Sequence, residues 1–406
     1  MRITLATIGS FHIFPLAREL ERLGVLERVY SGFPWSRLRR EGVSRDKVRT
    51  FPFVRPFVMG LRLLPFDVPE VVADSIHEFS LVTLDHFVAR SLPDGDVYVG
   101  HEGAGLVSGA EAQRRGMLYV CDRGCTHMAW REELLQAEHD RLGLPPRRRP
   151  NTYEREIEEY DRADLIVVPS EFARASFIEK GVSEDKLAVV PYGVDLQRFH
   201  PVGRPADVGF QIVFVGYLSV RKGAGDLLTA FKLANIPGKR LLLIGQIEPD
   251  VMMLYADLLN RDDVTTVGHV PNAMLKAHLG ESHVFCLPSL EEGQALVVCE
   301  AMACGCAPVV TANTGATSIV HDGANGYVVP IRAPEDIAAH FERLAADREL
   351  RDRLGAAALA SVRELGGWSA YGGGAVAAYR RALARRAAGR RTDSTPAPRE
   401  NRVGVH

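Results

Sequence analysis

Short apolar runs alternate with helix-patterned stretches along this chain in two series, and a segment dense in proline and glycine divides them. The first series reads Ile3–Ile8, a helix near 13 to 23, Val97–Gly100, a helix near 104 to 114, Met117–Cys121, Leu165–Val168, a helix near 170 to 180, and Leu187–Val190. The second reads Ile212–Val215, helix 224 to 234, Leu241–Ile244, helix 250 to 259, Thr265–Val267, helix 272 to 280, Val284–Leu287, helix 294 to 304, and Pro308–Thr311. Strands this apolar are buried on both faces, the condition of a parallel sheet flanked by helices. Between the series, Pro191–Ala206 holds three prolines and two glycines in sixteen residues and reads as a linker. The expected fold class is therefore α/β, with two doubly wound Rossmann-like domains, 1–195 and 206–365, and a cleft between them. Helices near 334 to 346 and 348 to 364 close the second domain. The Arg/Ala run and Thr392-Asp-Ser-Thr-Pro-Ala-Pro398 make 387–406 an expected disordered tail.

A length of 406 residues, 46% hydrophobic and 25% charged, supports two cores without disulfides. The six cysteines fall mostly in apolar runs, as reduced buried thiols do. Cys121, Cys125 and His127 lack a fourth ligand at zinc-site spacing, so no metal is expected. The first ten residues resemble a buried strand entering a glycine turn and lack the pattern of a signal peptide, and no run reaches membrane-span length. A cytoplasmic location is the expectation.

A net charge of -2 gives no reason to expect nucleic acid, but charge is unevenly placed. Nine basic residues between 28 and 62 face only Glu41 and Asp46, and Phe51–Phe66 interleaves arginine with large apolar side chains. That combination fits peripheral contact with an anionic membrane, and equally a solvated basic loop beside a packed helix.

The chemistry concentrates in Pro288–Val309. Glu292 precedes Gly293, and Glu300 lies after seven intervening residues inside an otherwise apolar helix. Free N–H groups at the helix start suit an anion, and a carboxylate between apolar neighbours needs hydrogen-bonding partners such as sugar or ribose hydroxyls. A core glutamate paired with an arginine is the plainer alternative.

This stretch resembles the E-x7-E signature of retaining glycosyltransferases of the family 4 type, which have the GT-B fold, and the resemblance runs through most of the chain. It implies that Glu292 faces a donor sugar, that Glu300 binds the nucleotide ribose, and that the backbone of Gly293, Gln294, Ala295, Leu296 and Val297 meets sugar and diphosphate. Gln294 stands where the family usually has an aromatic. Pro191–Phe199 resembles the family's hinge, and 367–386 resembles the last helix, which packs back on the first domain.

Val215–Gly223 brings Arg221 and Lys222 to the carboxyl end of a strand, where cations stabilise a departing diphosphate. Tyr217 takes the place after Gly216 where the family often has arginine. His269, in Val267–Pro271, resembles the segment that reads the nucleobase. In the first domain Gly9 and His12 follow the first strand as candidates for acceptor or phosphate contact, and His101-Glu102 ends another strand on the cleft side. Asp122 stands where the family often has a sugar-binding histidine. It either holds a sugar hydroxyl or is neutralised by Arg123. Asp94-Gly-Asp96 resembles a metal-binding D-x-D, but after Pro93 it reads as a turn.

The candidate catalytic set is thus Asp122, His101, Glu292, Arg221 and Lys222. The candidate donor-binding set is Gly9, Gly216, Arg221, Lys222, His269, Gly293 to Val297, Glu292 and Glu300. The resemblance implies sugar transfer from a nucleotide-diphosphate donor to a hydroxyl acceptor with no cofactor. A non-catalytic sugar-nucleotide binding module, or an epimerase or phosphorylase on a similar fold, remains open.

Overall fold

Two parallel sheets organise the molecule, as the double alternation predicts. The computed structural model describes residues 1–61 and 69–393. The first sheet comprises β1 (Ile3–Thr7), β2 (Leu26–Ser31), β3 (Val48–Thr50), β4 (Val97–His101), β5 (Leu118–Asp122), β6 (Leu165–Val168) and β7 (Leu187–Val189), in the order β3-β2-β1-β4-β5-β6-β7. The second comprises β8 (Phe210–Val215), β9 (Lys239–Ile244), β10 (Val264–Val267), β11 (Val284–Leu287), β12 (Ala307–Thr311) and β13 (Tyr327–Val329), in the order β10-β9-β8-β11-β12-β13.

Strand order reverses between β1 and β4 in one sheet and between β8 and β11 in the other. At such a switch point the connections leave for opposite faces, and a crevice opens at the strands' carboxyl ends. The loops bounding the two crevices are those after β1, β4, β8 and β11. They carry Gly9–His12, His101–Glu102, Gly216–Gly223 and Ser289–Ala295. Topology alone therefore brings most of the sequence-singled residues to the right edge of each sheet.

Two strands in the basic region escape the sequence reading. In β2, Glu27 and Arg28 interrupt the apolar run, and β3 is a three-residue edge strand. The helix expected over 250–259 breaks into Pro249–Leu254 and Ala256–Leu259 at Tyr255.

The last helix, Gly367–Asp393, extends through residues 387–393, which the composition assigned to a disordered tail; the remainder of that tail, 394–406, lies outside the described residues. Tyr371, Val376 and Tyr379 of this helix are buried in the core beneath the first sheet, with Ile13, Leu16 and Leu20 of the helix Ile13–Arg22. Gly372 makes that packing possible, since a Cβ there would lie 2.5 Å from Glu19 Cβ. Where the linker passes the start of this helix, a Cβ on Gly193 would fall 2.2 Å from the carbonyl carbon of Gly367.

Candidate active site

The turn after β8 is built to point two cations at the loop after β11. Gly223, at φ 70°, ends the turn where a side chain would strike the Pro288 carbonyl oxygen at 1.9 Å, so the two loops touch backbone to backbone. Leu290 N–H donates to Arg221 O at 2.8 Å, fixing the register. Lys222 Nζ then lies 2.7 Å from Glu292 Oε1, and Arg221 Nη1 lies 3.1 Å from the same oxygen. Arg221 also reaches Glu291 Oε2 at 3.2 Å. Arg221, Lys222 and Glu292, three of the predicted catalytic set, thus form one cluster.

Glu291 also belongs to this cluster, though the sequence reading passed over it because its neighbour Glu292 occupies the signature position. It is wholly buried, and its Oε1 accepts from Thr126 N–H at 3.1 Å and Thr126 Oγ1 at 2.8 Å, joining the loop after β11 to the loop after β5. Burial would raise its pKa, but Arg221, Arg131 and the Thr126 hydrogen bonds outweigh this and hold it low.

Gly293 closes the same seam. A Cβ on it would lie 2.0 Å from Gly124 O, and its own carbonyl accepts from Ser170 Oγ at 2.5 Å. Gln294 does not open the helix, as expected, but precedes its start. The helix runs Leu296–Ala303, and the Gln294 amide clamps the linker, accepting from Tyr192 N–H at 2.8 Å and donating to Tyr192 O at 3.3 Å. Its side chain is therefore committed to the linker. Ala295 caps the helix and its N–H bonds Thr314 O at 3.3 Å, leaving Leu296 and Val297 to present first-turn N–H groups that have no intrahelical acceptor.

Glu300 sits on that helix with no ion-pair or hydrogen-bond partner for its carboxylate among the described residues, so the arginine-paired core glutamate is not what is found. Burial pushes its pKa up to about 7, outweighing the opposing charge of Arg198. Gly216, at φ 137°, and His269 line a groove of about 460 Å³ with Tyr217, Gln246 and Leu275 at the ends of β8, β9 and β10. His269 is exposed there.

On the first-sheet side, β4 and β5 pair in register so that His101 lies beside Asp122. Arg123 does not neutralise Asp122. It is fully buried and serves Glu102, at 2.6 Å, and Glu156 instead. Burial works to raise the Glu102 pKa, and Arg123 overrides it and draws it down to about 2. Asp122 meets His12, whose Nε2 lies 2.7 Å from Asp122 Oδ1. Burial lowers the His101 pKa to about 4, so its ring is neutral at neutral pH. Phe11, at φ 37°, stacks on His101 with ring centroids 5.4 Å apart. Gly9 has both backbone groups engaged, its N–H with Thr7 Oγ1 at 3.3 Å and its carbonyl with Ser31 Oγ at 2.8 Å. A Cβ on it would lie 2.8 Å from Phe11 Cε2. Among the described residues no group of three His, Cys, Asp or Glu side chains is placed to hold a metal ion.

Comparison with known proteins gives this geometry a family. The family described as Glycosyltransferase Family 4 matches residues 9–198, and that described as Glycosyl transferases group 1 matches 198–360. This chain belongs to the family 4 glycosyltransferases. The family's two matched regions meet at the linker, between the two sheets. The D-inositol 3-phosphate glycosyltransferase of Segniliparus rotundus is 35% identical over 215 residues, 49% of this chain and 47% of that protein. The chain spans about half the length of such curated relatives. The fold is GT-B. A sucrose-phosphate synthase from Thermosynechococcus elongatus superposes with TM-score 0.70 at 20% identity, covering 95% of this chain and 100% of the other. The Anabaena HepE structure in complex with UDP and glucose superposes with TM-score 0.65 at 15% identity, covering 96% and 100%.

Proposed function

We propose that this family 4 chain is a retaining glycosyltransferase that moves a sugar from a nucleotide-diphosphate donor to an acceptor hydroxyl. The observation that carries the reading is that one loop and helix hold both Glu292, which meets Arg221 and Lys222 of the facing turn, and a largely buried Glu300 without an ion-pair partner. A departing diphosphate gains negative charge as the glycosidic bond breaks, and two fixed cations stabilise that charge more in the transition state than before it. The first-turn N–H groups of Leu296 and Val297 add to the same anion site. Glu300 accepts hydrogen bonds from the ribose hydroxyls, which supply the partners the fold withholds. The base lies in the groove beside Gly216 and His269. The HepE structure, with UDP and glucose bound, supports a donor of this class.

Retention follows if the diphosphate, leaving on the face from which the acceptor enters, takes the acceptor's proton. The reaction then needs no protein nucleophile, no cofactor and no metal, and the protein's part is orientation, electrostatics and exclusion of water. The test is a panel of UDP-, GDP- and ADP-sugars screened by thermal shift, then turnover of the stabilising donor with the product anomer read by NMR. Inverted product would refute retention. Binding without turnover over a broad set of acceptors would favour a non-catalytic binding module.

The acceptor side is proposed to meet an anionic membrane surface. Phe53 and Phe57 are 76% and 62% exposed, beside exposed Arg37, Arg39, Arg40, Arg45 and Arg49. Residues 62–66 of this stretch lie outside the described residues. No described helix is long and apolar enough to cross a membrane. Flotation with phosphatidylglycerol vesicles, lost in Phe53→Ser/Phe57→Ser and absent with phosphatidylcholine, is expected; wild type that stays unbound on both ends this proposal.

A further inference from the structure

The His12–Asp122 pair is built as a directed acceptor rather than as a salt link that only holds the loop. The His12 ring is fixed on all sides: stacked on Tyr192 at 4.4 Å, tilted against His101 at 5.2 Å, and edge-on to Tyr371 at 6.2 Å. Its Nε2 faces Asp122 Oδ1 at 2.7 Å. A carboxylate accepts, so with the hydrogen of this bond on Nε2 it is Nδ1 that is left as the ring's acceptor nitrogen. Among the described residues Nδ1 has no partner, although His12 starts a helix and its ring is nearly sealed, at 5% exposed. The second oxygen, Asp122 Oδ2, is buried, and the Tyr371 hydroxyl stands close to the same carboxylate.

The location is what gives this arrangement meaning. A Cβ on Gly124 would sit 3.7 Å from His12 Cε1 and 3.1 Å from Tyr192 Oη, and a Cβ on Gly293 would strike Gly124 O. His12 therefore stands at the seam where the loop of Glu292 meets the first sheet. The preceding residue, Phe11, holds a left-handed backbone that a non-glycine residue adopts at a cost, the kind of strain retained where a loop must present one group.

We propose that His12, locked by Asp122 as the Nε2–H tautomer, is a substrate-orienting residue whose Nδ1 accepts a hydrogen bond from a hydroxyl of the reacting sugar or of the acceptor. This rests on the glycosyltransferase reading and adds a residue to it. No bond to carbon is made or broken by His12, and the hydroxyl keeps its proton until the leaving diphosphate takes it.

Two substitutions separate a structural role from this one. His12→Gln places an amide nitrogen where Nε2 was, keeping the bond to Asp122 and removing the acceptor. His12→Asn places an amide near Nδ1 and releases Asp122. If Nδ1 reads a hydroxyl, His12→Gln keeps the wild-type melting temperature and loses about 10- to 100-fold in kcat/KM, while His12→Asn retains more activity despite lower stability. Loss in both transfer and acceptor-free donor hydrolysis assigns the hydroxyl to the donor sugar, and loss in transfer alone assigns it to the acceptor. In ¹⁵N-histidine NMR the His12 signals, identified by their absence from His12→Gln, should have the Nε2–H pattern and shift at Nδ1 on adding the bound nucleotide sugar or acceptor. Wild-type kinetics in His12→Gln, or an unmoved His12 signal with donor and acceptor saturating, overturns the proposal and leaves sugar transfer standing. If none of the UDP-, GDP- or ADP-sugars binds, both fall together.

Discussion

Replacing Glu300 with glutamine should stabilise this protein while weakening its hold on a nucleotide, and the two effects should separate with pH. Burial lifts the Glu300 carboxyl from 4.5 to about 7, the opposing charge of Arg198 being too little to cancel it. The folded state therefore keeps its proton to higher pH than the unfolded chain, which sheds it near 4.5. Stability is fully present below pH 4.5 and is lost as pH rises through about 7. Carried to pH 8, the difference amounts to about 3 kcal/mol, against about 1 kcal/mol at pH 5. Glu300 is only partly shielded from solvent, so these are upper limits. Glutamine is neutral throughout and escapes this loss. The expectation is a variant more stable than wild type by about 1 to 3 kcal/mol at pH 8, nearly matched at pH 5, and about tenfold or more weaker for UDP or another cognate nucleotide. Urea unfolding at the two pH values and calorimetric titration read both. Equal destabilisation of the variant at both pH values would mean that the carboxylate has a stabilising partner in the fold, and the ribose argument would lose its basis.

Lys222→Ala removes the cation 2.7 Å from Glu292 and should lower kcat by about 100- to 1,000-fold in steady-state transfer assays, with donor affinity changed less. Gly293→Ala sets a methyl 2.0 Å from Gly124 O, so the lobes must part; scattering should register a larger radius of gyration, and kcat/KM should fall at least about tenfold. Gln294→Ala strands the Tyr192 N–H that the amide now accepts from, and should cost about 1 to 3 kcal/mol of stability in thermal unfolding. Donor affinity should change little there, because the lost contacts are to the linker.

What the sequence made legible follows from range. Strand and helix identity in the second domain depend on local apolar periodicity, and the helices 272–280 and 334–346 fall where that periodicity places them. The E-x7-E spacing is likewise local, so Glu292 and Glu300 could be singled out. Tyr255 could not be foreseen as a helix break, because its ring packs over Gly225, where a Cβ would lie 2.2 Å from its hydroxyl. His12 and Asp122 are 110 positions apart, and Thr126 and Glu291 are 165 apart. No spacing rule links such pairs; the parallel order β1-β4-β5 brings His12 to Asp122 at one end of the first sheet, and only the facing of the two sheets brings Thr126 to Glu291. Arg123 beside Asp122 invited the nearer pairing, but Asp122 is the last residue of β5, and Arg123, just past it, turns to Glu102 and Glu156.

At Gly193 and Gly367 the two passes of chain between the lobes touch backbone to backbone. Outbound and returning chain lie side by side there, with room for no side chain on Gly193. A methyl added at Gly193 would wedge the two passes apart, so a change at this one position displaces the start of the last helix together with the linker.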